Sequence, residues 1–389
     1  MKERNPRHLI ISDIIKPLLL LCTVLIALFS SQSYAVVTCA ITSPVKNNVV
    51  PLAPANISAG QDMPNGTVIY EANIQTSGFS INCTSSEPGA YSYNYSEVLA
   101  LSVAPLPISN YATDVYTTDI PGVGVKFHLG KSFTLTSPYA WNTVTCNFDP
   151  NQSPQNSCGI GLNYFRIQLI KIGSITPGTY NLSTSLLPTV IQYLTSSDGS
   201  ATFSTSQTEQ WAFTGQLAVN TQTCTTPDVN VDLGTYDISN TFTGVNSATP
   251  WVDSSITLTN CPTFYGYYNS NNAGAYSRSN STFSVGAANN NQFGLILTPN
   301  NTVINSANAI MAVSSSTTGS AATGVGIQLW QGESGTAAAV PFNQEKRYTL
   351  PNSGVNTVRV PLVARYIQTS QQVTPGRADG KVTFTINYY

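Results

Sequence analysis

The sequence predicts an almost entirely β chain arranged as two disulfide-bearing modules. Three observations carry that reading. Period-two alternation recurs, as in Val229-Val231-Leu233, Ile256-Leu258 and Val382-Phe384-Ile386-Tyr388, and no stretch sustains a capped helical period. Charged residues make up only 9% of the 389 positions. Ser, Thr, Asn, Tyr and Gly carry the surface instead, which suits strands joined by polar turns. The cysteines fall into sequence-local groups on either side of a short uncharged stretch, residues 220–223.

The first element is an export leader. Lys2, Arg4, Arg7 and Lys16 precede an apolar run from Pro17 to Phe29 that is short for a membrane span, and Ser33-Tyr34-Ala35 offers small residues for cleavage. The leader is read as residues 1–35, with the exported chain starting at Val36. It holds four of the 16 basic and two of the 18 acidic residues, so the remainder is mildly acidic. Such a chain has no electrostatic footprint for nucleic acid.

Of seven Cys, Cys22 lies in the leader. An even remainder in an exported chain implies disulfides, although six Cys allow 15 connectivities. Economy favours Cys39–Cys83, Cys146–Cys158 and Cys224–Cys261, each inside one module. Closing a loop of about 40 residues contributes about 4 kcal/mol on the chain-entropy model. No C-x-x-C occurs, so neither a metal site nor a cofactor is expected.

The upstream module is read as residues 36–219, closing with a strand in Glu209–Val219 (EQWAFTGQLAV). Residues 220–223 form the linker, and residues 224–389 form the downstream module. The Asn-, Ser- and Tyr-rich tract Tyr265–Asn301 reads as long solvated loops within the downstream module.

Catalytic chemistry is sparse. His128 is the only His after the leader, and alternation puts it beside Lys126 on a polar face. No G-x-S-x-G, H-E-x-x-H or phosphate loop occurs, so no enzyme activity is expected. Recognition chemistry is better represented. The segment Cys146–Cys158 would form a polar, Pro-stiffened ring carrying Asn147, Asp149 and Asn151, with Trp141 before it and Tyr164 after it. Tyr91, Tyr93 and Tyr95 share one strand face, either as core or as an aromatic platform presented by Tyr93.

The last residues, Gly376-Arg-Ala-Asp-Gly-Lys-Val382-Thr-Phe384-Thr-Ile386-Asn-Tyr388-Tyr389, resemble the C-terminal signature of chaperone–usher pilus subunits, with a glycine fourteen residues from the end and a penultimate aromatic. Cys224 to Leu233, Ile256 to Cys261, Thr323 to Leu329 and Val358 to Tyr366 continue that resemblance. Val115–Phe127 (VYTTDIPGVGVKF) and Phe165–Gly178 (FRIQLIKIGSITPG) resemble the receptor-binding domain of two-domain fimbrial tip adhesins, particularly the type 3 adhesin. The spacing of Cys39 and Cys83 resembles the early disulfide of the type 1 mannose-binding adhesin.

The resemblance implies two immunoglobulin-like β-sandwich domains, a lectin-like adhesin domain and an incomplete pilin domain lacking its last strand. A strand from another protein then fills a groove lined by Gly376, Val382, Phe384, Ile386 and Tyr388. The implied partners are a periplasmic chaperone, an outer-membrane usher, an adjacent fimbrial subunit, and a host glycan or matrix protein. The implied location is the fimbrial tip, and the three residues before Cys39 in the exported chain are too few to donate a strand. The mannose-binding pattern would place receptor contacts at Val36, Ser85, Ser86, Lys171, Ser174 and Thr176. Val36 and Thr84-Ser85-Ser86 stand where that pattern has an aromatic and an Asn-Asp pair. The alternative is a non-adhesive structural tip or initiator subunit.

Overall fold

The computed structural model describes residues 37–52, 56–86, 88–102, 114–129, 133–134, 138–152, 156–157, 164–182, 187–196, 198–315, 319–339 and 341–389. The expected leader, Val36 and Cys158 lie outside these residues. Strands dominate. Among the described residues the only helix is the single turn Ile238–Thr241, whose cap Asp237 accepts from Asn240 N.

The upstream core lies between two sheets. One runs in the order Asn156–Ser157, Tyr139–Phe148, Tyr91–Leu101, Val190–Thr195, Gln207–Thr214 and Lys46–Pro51. The other is centred on Val68–Gln75, Tyr164–Lys171 and Val123–Leu129. The alternating residues that face inward explain the layering. Ile167 and Leu169 on one strand meet Tyr70, Ala72 and Ile74 on its neighbour, and all are buried. Phe165 packs edge-on against Trp211 from the opposite sheet, with ring centroids 5.1 Å apart. A smaller cluster surrounds the Cys39–Cys83 disulfide, with Tyr93, Tyr95 and Phe148 around it.

The downstream core packs the sheet Glu345–Thr349, Gln292–Pro299, Val382–Tyr388 against strands that include Val325–Gln331 and Leu362–Gln368. Phe293, Leu295, Leu297, Phe342 and Leu350 fill it. The Cys224–Cys261 disulfide closes its start. Cys146 is disulfide-bonded as well.

One expectation is overturned. The tract Tyr265–Asn301 is not a set of solvated loops inside the downstream module. It forms strands Gly274–Ser277 and Thr282–Ser284, then the whole of Gln292–Pro299. The hairpin Gly274–Ser284 extends the upstream sheet: Gly274, Ala275 and Tyr276 pair in parallel with Ala72, Asn73 and Ile74. The physical reason lies in its tyrosines. Tyr268 and Tyr276 are buried among upstream core residues, and Tyr268 meets Tyr70 edge-on at 6.2 Å. Aromatic area buried in a core offsets the cost of ordering a polar tract.

The hairpin is also pinned by charge. Arg278 Nε lies 3.0 Å from Glu209 Oε1, and Glu209 is only 1% exposed. The same carboxylate accepts from Ser77 N at 2.7 Å and from the Ser77 hydroxyl.

Candidate functional site

Among the described residues, the strand Val382–Tyr388 forms a strand ladder along one edge only. It pairs with Gln292–Pro299 from Phe293↔Tyr388 to Pro299↔Val382. Its apolar side chains at 382, 384 and 386 are only half-buried, although they alternate as core residues should. Opposite its free edge runs Val229–Leu233, an alternating segment that carries no ladder among the described residues. Between them lies a groove of about 350 Å³, floored by Leu297, Met311, Ile327 and Leu329. An adjoining cavity of about 420 Å³ shares Asp232, Tyr366, Ala378 and Asp379 with it and reaches Gly376. The two make one long slot into the core.

Such a slot has a definite chemistry. Unpaired backbone groups along one wall need partners, and the apolar floor needs cover. An extended segment with alternating apolar side chains supplies both.

Gly376 lines the adjoining cavity and Val382 and Phe384 line the groove, whereas Ile386 and Tyr388, farther along the strand, line neither. A side chain at Gly376 would meet Ala322 N at 2.5 Å, so only glycine allows this close backbone approach. The approach is fixed by Arg377 N donating to Ser320 O and Ala322 N donating to Arg377 O. Tyr388 is buried. Its ring stacks on Phe264 at 6.1 Å, and its hydroxyl accepts from Cys224 N at 3.2 Å. Burial raises its pKa.

The upstream candidates do not form one site. Ser85, Ser86, Asn147, Asp149 and Asn151 lie toward one pole, where Ser85 pairs with Val37 and Asn147 pairs with Ser92. Asn151 N donates to Asp149 Oδ1 at 2.9 Å, and Ser92 Oγ donates to Asn147 Oδ1 at 2.7 Å. Trp141 falls near the other end of Tyr139–Phe148, about 20 Å along the strand. Tyr164 starts the strand that Lys171 ends, so the same length separates those two.

Two candidates are inside the protein. Tyr93 is fully buried, its hydroxyl 3.2 Å from Cys83 Sγ, and burial pushes it up to about 12. The core reading of that stripe therefore holds for Tyr93, and the platform reading does not. Lys171 is buried and donates to Gln61 O and Met63 O at 3.0 and 2.7 Å, which leaves no ammonium for a receptor. Ser174 and Thr176 follow it at the pole near the downstream unit, both exposed.

Sequence reasoning missed a polar surface cluster. Asn94 Nδ2 donates to Asp198 Oδ2 at 2.7 Å, and Thr145 Oγ1 donates to Asn94 Oδ1 at 2.6 Å. Hydrogen bonds from Ser200 and Asn94 hold the Asp198 carboxyl well below its usual range. Residues 94 and 145 were legible as outward positions of alternating strands, but nothing in the sequence ties Asp198 to them.

A family profile described as "Fimbrial protein" matches residues 211–389. The "Uncharacterized fimbrial-like protein YraH" of Escherichia coli K12 is 30% identical over 164 residues, covering 41% of this chain and 76% of that protein. Among solved structures, the CupB6 tip adhesin from Pseudomonas aeruginosa aligns with TM-score 0.34 and 14% identity, over 90% of this chain and 93% of that one. The receptor-binding domain of the adhesin MrkD1P of Klebsiella pneumoniae aligns with TM-score 0.28 and 16% identity, over 49% and 98%. On the strength of the profile match and the relative from Escherichia coli, the chain belongs to the fimbrial protein family.

Proposed function

We propose that the chain is a two-domain fimbrial tip adhesin assembled by strand addition. The residues downstream of 224 act as a pilin-type unit, and residues 36–219 present a receptor surface. The open slot between Val229–Leu233 and Val382–Tyr388 carries this reading. It has the unpaired edge and the apolar floor that an added strand requires. A periplasmic chaperone occupies it first, and an extension of the neighbouring subunit replaces the chaperone. Membership in the fimbrial family supports these partners. The function is attachment, with no covalent chemistry.

The receptor is a glycan or a matrix protein, held at the pole with Ser85, Ser86, Asn147, Asp149 and Asn151. These residues are polar, lie on neighbouring strands and turns, and stand away from the downstream unit.

The test is recovery of a chaperone complex from the periplasm. Phe384→Asp places a charge on the groove wall without touching the pairing to Gln292–Pro299. Loss of the complex, with an unchanged yield for Thr385→Asp on the outer face, is the expected result. Equal recovery of both variants would refute the groove assignment. Receptor arrays of glycans and matrix proteins then separate the adhesin from a non-adhesive tip subunit. They require the full chain, because residues 36–220 alone lack the Gly274–Ser284 hairpin.

A further inference from the structure

The ladder between Val382–Tyr388 and Gln292–Pro299 uses alternate residues. Tyr389 and Gln292 exchange both backbone bonds, and Asn300 N donates to Lys381 O at 2.9 Å. In an antiparallel pair the residues between such positions turn their N–H and C=O to the opposite edge. Those residues are Val382, Phe384, Ile386 and Tyr388. Among the described residues, the outward groups of the first three meet no partner.

Tyr388 differs. Its N–H donates to Asp62 Oδ2 at 2.9 Å, and its C=O accepts from Asp62 N at 3.2 Å. Asp62 therefore makes both bonds that a paired strand residue would make. It does so from the upstream unit, across the junction.

The loop that carries Asp62 is braced from behind. Buried Lys171 holds it by donating to the carbonyls of Gln61 and Met63. Gly60 lets it sit against the strand: a side chain there would lie 2.0 Å from Tyr388 O. A buried cation on one side and a missing side chain on the other wedge the loop against the end of the free edge.

We propose that the loop Gly60–Met63 is a stop that sets the register of the strand entering the groove. The incoming segment ladders onto Val382, Phe384 and Ile386 and ends before Tyr388. This inference rests on the groove reading given above. Register matters because side chains alternate with period two, and a slip of one residue turns every apolar group to the wrong face. A ladder of backbone bonds alone tolerates such slips. A fixed end removes them. Lys171 acts here as a positioning residue for the stop.

The test uses the full chain and labelled synthetic peptides of alternating Val and Thr, lengthened two residues at a time from either end. Affinity is expected to rise with length and then level off once the peptide reaches Asp62. Combining Asp62→Ala with Lys171→Met removes cap and brace together, and is expected to make the next longer peptide bind about tenfold tighter. Should that variant not fold, amide exchange on the unaltered chain decides the matter. Tyr388 N–H should be protected with and without peptide, whereas Val382, Phe384 and Ile386 gain protection only with it. Affinity that keeps rising with length, or fast exchange at Tyr388 in the free chain, would overturn the stop while leaving the groove intact. Failure of every peptide to bind would overturn the groove reading and the stop with it.

Discussion

Removing Tyr276 should destabilise the upstream unit, although the residue lies more than fifty positions beyond the end of that unit's own sequence. Tyr276 is 4% exposed and pairs with Ile74 at the edge of the upstream sheet. Truncating a large aromatic in a core costs about 3–5 kcal/mol. The edge position of the hairpin favours the low end of that range, about 3 kcal/mol, which corresponds to a fall in Tm of roughly 6–12 °C for a unit of this size. Arg278→Ala acts at the same place by a different route. It leaves the Glu209 carboxylate buried with Ser77 as its remaining close partner. Breaking a buried pair costs about 3–5 kcal/mol, and the partial exposure of Arg278 reduces this to about 1–3 kcal/mol. Arg359→Ala, at an exposed pair with Glu333 and Asp253, is the control and should change nothing measurable. The assay is denaturant unfolding of the full chain, followed by the fluorescence of Trp211, which is buried beside Phe165. A fragment spanning residues 36–220 that unfolds at the same midpoint as the full chain would refute the reasoning, because it would show that the hairpin contributes nothing.

Three further outcomes follow from named contacts. Tyr388→Phe removes the hydroxyl that accepts from Cys224 N. It should cost about 1 kcal/mol in denaturant unfolding while leaving strand pairing intact. Gly376→Val puts a branched side chain where Ala322 N already stands within 2.5 Å, and should lower the yield of folded chain sharply in a periplasmic expression assay. His128 should make stability fall in mild acid. Burial, with Lys126 and Arg166 nearby, lowers its pKa against the opposing effects of Gln168 and Glu71. The unfolded chain then binds the proton more readily than the folded one. The stability is fully present above the ordinary histidine value of about 6.5 and is lost as pH falls below it. His128→Gln should remove this part of the pH dependence in unfolding measured across that range.

The features legible in the sequence were those encoded by local period. Alternation at Ile256–Leu258 and Val382–Tyr388 marked two strands, because a strand's two faces are written in adjacent residues, whereas the same alternation at Val229–Leu233 fell on a segment that carries no ladder among the described residues. The pairs Cys39–Cys83 and Cys224–Cys261 followed from economy of spacing. What the sequence hid were contacts between distant segments. The tract around Tyr276 looked like a solvated loop because its polar residues outnumber its tyrosines. Only the position of Val68–Gln75 at a sheet edge gives those tyrosines a place to go. Lys171 resembled a receptor contact because the mannose-binding pattern places contacts in the segment after the strand at Phe165–Ile170. The carbonyls that bury it come from a loop 110 residues earlier in the chain. Asp62 carried no signal at all, since its role depends on the end of a strand more than 300 residues away.

The claim that an added strand fills the groove is tested most directly by crosslinking in living cells. A photoreactive phenylalanine analogue at Phe384 faces the slot, and one at Thr385 faces outward. The account predicts a covalent adduct from position 384 that maps by mass spectrometry to an alternating apolar segment of a second polypeptide, and no such adduct from position 385. The same yield from both positions, or no adduct from position 384 in cells that assemble fimbriae, would contradict it.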